Sequence, residues 1–178
     1  MIPRKLGIPQ FFIDANRINA RGKLSEMNLL ERWNQDGVIS IRMPWDAQLE
    51  AERGNNSLRQ RKAWSYMAPM PLITTADERR TLSEIERVVF GPVLSDSDAR
   101  DALIVFTAKK YSAILVTADR ALLNAAKILH QRLGVQVMTA KQAVSMIRRQ
   151  ISQRDRMAES DAKREALPLH EWVNNDSR

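Results

Sequence analysis

Carboxylates placed where buried strands end can hold a hard cation against a phosphodiester, and this sequence offers several at such positions. QFFIDAN (residues 10–16) carries three apolar residues straight into Asp14, with Asn16 two positions later. SAILVTAD (112–119) repeats the arrangement, an apolar run leading through Thr117 to Asp119. Asp101 heads the stretch DALIVF, and WDAQLEAERG (45–54) contributes Glu50 and Glu52. Each acid also has an ordinary use. Asp14 suits an Asx-turn, Asp119 a helix N-cap, Asp98 and Asp101 an acidic helix start, and Glu50 a solvated helix face. Brought within a few ångströms of one another, though, carboxylates repel, and they take up protons or share a cation. The chain has no cysteine, and its two histidines, His130 and His170, are far apart and read as structural. An all-oxygen donor set of this kind favours Mg²⁺ or Mn²⁺ over zinc. Facing a phosphodiester, such a cation offsets phosphate charge, lowers the pKa of a water and steadies the leaving oxygen.

The elements that must position these groups alternate in type. Residues 10–14 read as a buried strand. Over 23–36, Leu24, Met27, Leu30 and Trp33 recur at threes, which predicts an amphipathic helix stopped by Gly37. VISIRM (38–43) reads as a second strand ended by Pro44. Helices are expected over 45–53 and 57–66 with a break at Gly54-Asn55-Asn56, and MAPMPL (67–72), with two prolines, reads as a loop. Another helix is expected over 77–90, with Leu82, Ile85 and Val89 on one side. SDSDARDALIVFTAKKY (95–111) opens with acids and continues as a helix, SAILVT is a strand, and 118–134 is a helix closed by Gly134. VQVMT (135–139) is the last strand, and residues from 140 onward are helical. Such alternation predicts a parallel sheet covered by helices on both faces, with right-handed crossovers. The functional crevice of such folds lies outside the carboxyl ends of the strands, which is where Asp14 and Asp119 fall.

A chain of 178 residues, 44% of them apolar, suits one domain with a real core. MIPRKLGIPQFF has no apolar stretch of signal-peptide length, and no run approaches the ~20 residues that cross a bilayer, so a cytoplasmic protein is expected. Absence of cysteine agrees with a reducing compartment. A net charge of +7 favours polyanionic partners such as nucleic acid.

Four pieces of the sequence, in order, resemble the motifs of the PIN-domain nucleases, compact metal-dependent enzymes that mostly cut single-stranded RNA. FIDAN (12–16) resembles the opening motif of a strand, an Asp and a polar residue two positions on. QLEAERG (48–54) resembles the second, a helical glutamate followed four residues later by glycine, which selects Glu50 with Glu52 as its rival. DALIVFTAKKYSAILVTAD (101–119) resembles the third and fourth motifs in one run, from Asp101, with Asp98 and Asp96 as competitors, to Asp119, with Thr117 at the usual hydroxyl position. The resemblance covers about residues 10–140; 54–95 is longer than a minimal member requires, and 141–178 is an addition. It implies a three-layer α/β/α sandwich with a central parallel sheet over 1–140, and a C-terminal helical extension over 141–178. It also implies one or two Mg²⁺ or Mn²⁺ ions held by Asp14, Glu50, Asp101 and Asp119, with Asn16 and Thr117 orienting them. The implied activity is endoribonucleolytic, as in the toxin of a toxin–antitoxin pair; the alternative is a degenerate PIN-like module that binds RNA or protein without cutting. Family members dimerise or pair with a small inhibitory protein, so a second copy or an antitoxin-like protein is an expected partner.

RNA must approach an acidic pocket through positive charge, and Arg17, Arg53 and Arg120 adjoin the motifs. RQRKAWSY (59–66) mixes Arg59, Arg61 and Lys62 with Trp64 and Tyr66, as single-strand binders do, although Trp64 reads more readily as core or interface. The charges of RRQISQRDRMAESDAKRE read as a solvated helix, beside an apolar stripe of Ala143, Met146, Ile147 and Ile151. Leu167, Leu169 and Trp172 are expected to pack on the domain or on a second subunit. A phosphoacceptor receiver also gathers acids at strand ends, but FFIDAN lacks the acid pair that receivers need.

Overall fold

Two buried tripeptides form the middle of the sheet: Phe11–Ile13 (β1) and Ile114–Val116 (β3). Runs this short and this apolar suit a strand covered on both sides. The computed structural model describes residues 2–53, 55–70 and 72–176; Gly54 of the expected helix break and the second loop proline, Pro71, lie outside the described residues. Ile41–Arg42 (β2) pairs with β1, and Gln136–Met138 (β4) pairs with β3, giving a parallel sheet of order β2-β1-β3-β4. From β1 the chain steps outward to β2, then returns to the other side of β1 for β3. This order leaves a topological switch point between β1 and β3.

Seven α-helices accompany the sheet among the described residues: Ser25–Gln35 (α1), Trp45–Glu52 (α2), Ser57–Trp64 (α3), Ala76–Val89 (α4), Asp96–Lys110 (α5), Arg120–Leu133 (α6) and Ala140–Glu165 (α7). The architecture is α/β. α1 packs on α7, while α4 packs on α5 and α6, and α5 also on α2. That grouping is consistent with helix layers on either side of the sheet. Local chemistry sets the boundaries. Thr75 and Glu78, Ser95 and Asp98, and Thr139 and Gln142 form capping boxes at the starts of α4, α5 and α7. Gly134 closes α6 in the left-handed region, where a side chain would be strained. Met27, Leu30 and Trp33, spaced by three, are the buried face of α1.

The expected strand over 38–43 is reduced to two residues. The amides of Val38 and Ile39 are still tied to the carbonyl of Trp33, at 2.9 and 3.4 Å, as the close of α1, so they cannot join the ladder. Trp64 is not core: it is 58% exposed and sits edge-on to Trp45. Tyr66 is buried, and its hydroxyl donates to Glu31 at 2.7 Å.

The C-terminal segment departs most from its solvated appearance. Ala143, Ile147 and Ile151 of α7 enter the same core as the sheet. Arg154 and Asp155, inside the mixed-charge run, are only 6% and 4% exposed. The Arg154 guanidinium donates to Asp155 Oδ1 through Nε and Nη2, to Asp176 Oδ2 at 2.9 Å and to the carbonyl of Arg4. Arg4 donates to Asp176 Oδ1 at 2.7 Å, and the indole of the fully buried Trp33 donates to the carbonyl of Asp176. Trp172 lies over the Arg154 guanidinium at 4.3 Å. Leu167 and Leu169 remain exposed and do not pack on the domain, whereas Val173 is buried. Among the described residues no helix is long and apolar enough to cross a membrane.

Candidate functional site

The register of the two central strands builds the site. Ile13 lies opposite Val116, so the next residues, Asp14 and Thr117, emerge side by side at the carboxyl edge. The Asp14 amide donates to the carbonyl of Val116 at 3.1 Å. The Thr117 hydroxyl donates to Asp14 Oδ2 at 2.7 Å, and Asn16 Nδ2 donates to the same oxygen. Asn16 in turn accepts from the amide of Ala118 at 2.9 Å, and Thr117 Oγ1 accepts from the amide of Asp119 at 2.9 Å. Asn16 and Thr117 therefore hold one oxygen of Asp14 and leave the carboxylate in a single orientation. Asp14 precedes a 3₁₀ turn, Ala15–Arg17, without capping it through its side chain, so the Asx-turn reading does not apply.

Asp119 keeps its ordinary role as well: Oδ1 accepts from the amide of Leu122 at 2.9 Å and caps α6. Helices bring the remaining acids. α2 packs on the 3₁₀ turn and on α5, which carries Glu50 and Asp101 to the strand edge. A cavity of about 260 Å³ is lined by Asp14, Asn16, Glu50, Ser97, Arg100, Asp101 and Asp119. The rivals fall outside it. Glu52 does not line the cavity, Asp98 is engaged by Ser95 in the capping box, and Asp96 is exposed. A larger hollow of about 450 Å³, between the end of α7 and the tail, is largely apolar, with Asp161, Glu165 and Glu171 among its lining.

The acids feel one another. Burial raises Asp14 above the ordinary carboxylate value; the Thr117 hydrogen bond opposes this, and the charge of Asp119 reinforces it. Burial also raises Glu50, helped by the charge of Asp14 and opposed by Arg59, Arg100 and Arg53. Asp101 is pushed up to about 7, first by burial and then by the charges of Asp14, Asp119, Glu50 and Asp98. This is the response expected of partly buried carboxylates crowded together.

The sign of that shift gives a measurement. Asp101 moves from 3.8 to about 7 on folding, so between those values the folded state holds a proton that the unfolded state releases. Stability without metal therefore falls as pH rises through that window and levels off above it. Asp101→Asn is expected to raise the melting temperature in EDTA at pH 8 and to change it little at pH 4. Discounted for a half-exposed group, the gain is about 1–2 kcal/mol, or about 3–6 °C. An unchanged melting temperature at pH 8 would show that neither burial nor the neighbouring acids raise Asp101.

Positive charge borders the cavity, though not all of it where the sequence suggests. Arg17 is folded back, its Nε donating to the carbonyl and Oδ1 of Asn16, and its charge bears on Asp14. Arg53 bears on Glu50. Arg120 is exposed at the start of α6, and no contact connects it to the acids. Arg59, expected in a basic–aromatic cluster, instead donates to the carbonyl of Ala15 at 3.1 Å and stands 3.9 Å from Glu50. Ser97 and Arg100 are lining residues that sequence reasoning missed. The available signal was their helical spacing from Asp101, which puts the three on neighbouring positions of the first turns of α5.

Among the described residues no three His, Asp or Glu side chains form a ready-made cage for a metal ion; the carboxylates line a cavity instead. No protein-family model matches this chain, and no curated protein matches it.

Proposed function

We propose that this chain is a PIN-like, three-layer, Mg²⁺- or Mn²⁺-dependent endoribonuclease acting on single-stranded RNA. The observation that supports it is the gathering of Asp14, Glu50, Asp101 and Asp119 around one cavity at the β1–β3 switch point. The donor set fits the ion: four hard carboxylates and no sulfur or imidazole, with Asp101 pushed up to about 7 by burial first and by the neighbouring acids after it. When bound, such an ion offsets phosphate charge and acidifies a water. Asp14, Glu50, Asp101 and Asp119 would hold it. Asn16 and Thr117 keep Asp14 aimed by the hydrogen bonds described above, the kind of support whose loss typically weakens metal binding or activity 10–100-fold. Arg17 and Arg53 border the acids with positive charge, and the net charge of +7 draws a polyanion toward them.

The deciding experiment incubates purified protein with a panel of labelled single-stranded RNAs in Mg²⁺ or Mn²⁺, with and without excess EDTA. Cleavage that appears with metal and stops with EDTA is expected. Cutting that ignores EDTA, or RNA binding with no cutting across the panel, would overturn the nuclease reading, and the second result would favour a binding module.

A further inference from the structure

One strong base in the cavity is engaged by none of its acids. Arg100 lines the space one turn beyond Ser97 on α5. Its charge bears on Glu50 and on Asp46, a turn earlier on α2. Yet among the described residues its guanidinium makes no ion pair and no hydrogen bond. Arg59, another arginine beside Glu50, behaves differently, being fixed to the carbonyl of Ala15 and close to Glu50. An arginine serving only to balance pocket charge would be drawn onto a carboxylate, as Arg154 is onto Asp155 and Asp176. Arg100 keeps its planar fork of donors available while lining a cavity whose carboxylates could have occupied it.

Resting on the nuclease reading above, we propose that Arg100 is the phosphate clamp of this site. Its fork donates two parallel hydrogen bonds to the non-bridging oxygens of the phosphate that is cut. Arg100 lines the same cavity as Asp14, Glu50, Asp101 and Asp119, so the phosphate it reaches is the one facing those acids. The same side chain offsets charge that the carboxylates alone would repel.

The test compares Arg100→Gln, which keeps the stem and the helix, with Arg100→Lys, which keeps the charge and loses the fork. Cleavage of a labelled single-stranded RNA is followed in Mn²⁺, and binding of the same RNA by anisotropy across a salt series in an Asp14→Asn background. Arg100→Gln is expected to lower kcat/KM about 10²-fold. It should also reduce the slope of log affinity against log salt by about 0.7, one phosphate contact on a single strand. Arg100→Lys should restore the slope and only part of the rate. If the wild type cuts while Arg100→Gln has an unchanged rate and slope, the clamp is wrong and the nuclease reading stands. A lost slope with no cutting by wild type would keep the phosphate contact and remove the nuclease. Neither cutting nor binding by wild type would overturn both.

Discussion

Asp14→Asn is expected to lower the rate of RNA cleavage by about 10³-fold or more, about 4 kcal/mol of barrier, without loss of fold. The substitution is nearly isosteric. An amide oxygen can still accept from the Thr117 hydroxyl and Asn16 Nδ2, which now converge on Asp14 Oδ2. What disappears is the charge, on a group that is 3% exposed and whose ionised form burial already disfavours. Removing a buried charge of this sort should leave the melting temperature in EDTA unchanged or higher at pH 8. A structural aspartate would give the opposite pattern, with stability falling and any activity following it. Single-turnover cleavage and thermal melts on the same preparations separate the two. Equal cutting by wild type and variant would point to a contaminating ribonuclease.

The second large effect lies away from the pocket. Arg154→Ala should destabilise the protein by about 3–5 kcal/mol, because it leaves Asp155 and Asp176 buried without their shared partner. For a chain of this length that is a fall of roughly 10 °C or more in melting temperature. Arg154→Lys should recover only a minor part. One ammonium cannot reach Asp155, Asp176 and the carbonyl of Arg4 as the three guanidinium nitrogens do, nor stack as well under Trp172. RNA cleavage measured below the transition should be unaffected by either change. A loss of less than about 1 kcal/mol would mean that the group is screened like a surface pair.

These two regions were unequally legible in the sequence. Asp14 and Asp119 could be placed because an apolar run can end at only one edge of a parallel sheet. Helix extents followed from periodicity and caps: the 26-residue α7 begins at the expected position because Thr139 and Gln142 form its capping box. The shortness of β2 could not be read. Val38 and Ile39 are as apolar as a strand requires, and only their hydrogen bonds to Trp33 remove them from it. Arg100 was equally hidden, since one arginine among the acids of a helix start looks like any solvated residue. The buried Arg154–Asp155 pair was disguised by its surroundings, for a run of alternating charges carries no sign of which two face inward.

The hydrogen bond between Thr117 and Asp14 joins residues 103 positions apart, and this governs when the site comes into being. No local segment contains it. α5, α6 and the β3 stretch can form early, but Asp14 meets Thr117 only after a long loop has closed and β1 has docked beside β3, a step whose entropic cost precedes its reward. During refolding, the Asp14 and Asp119 amides, bonded to the carbonyl of Val116 and the Thr117 hydroxyl, should gain protection from exchange together, and later than the interior amides of α6. Pocket assembly would then be a late event of folding, and a chain stalled before it would carry its acids apart and in water.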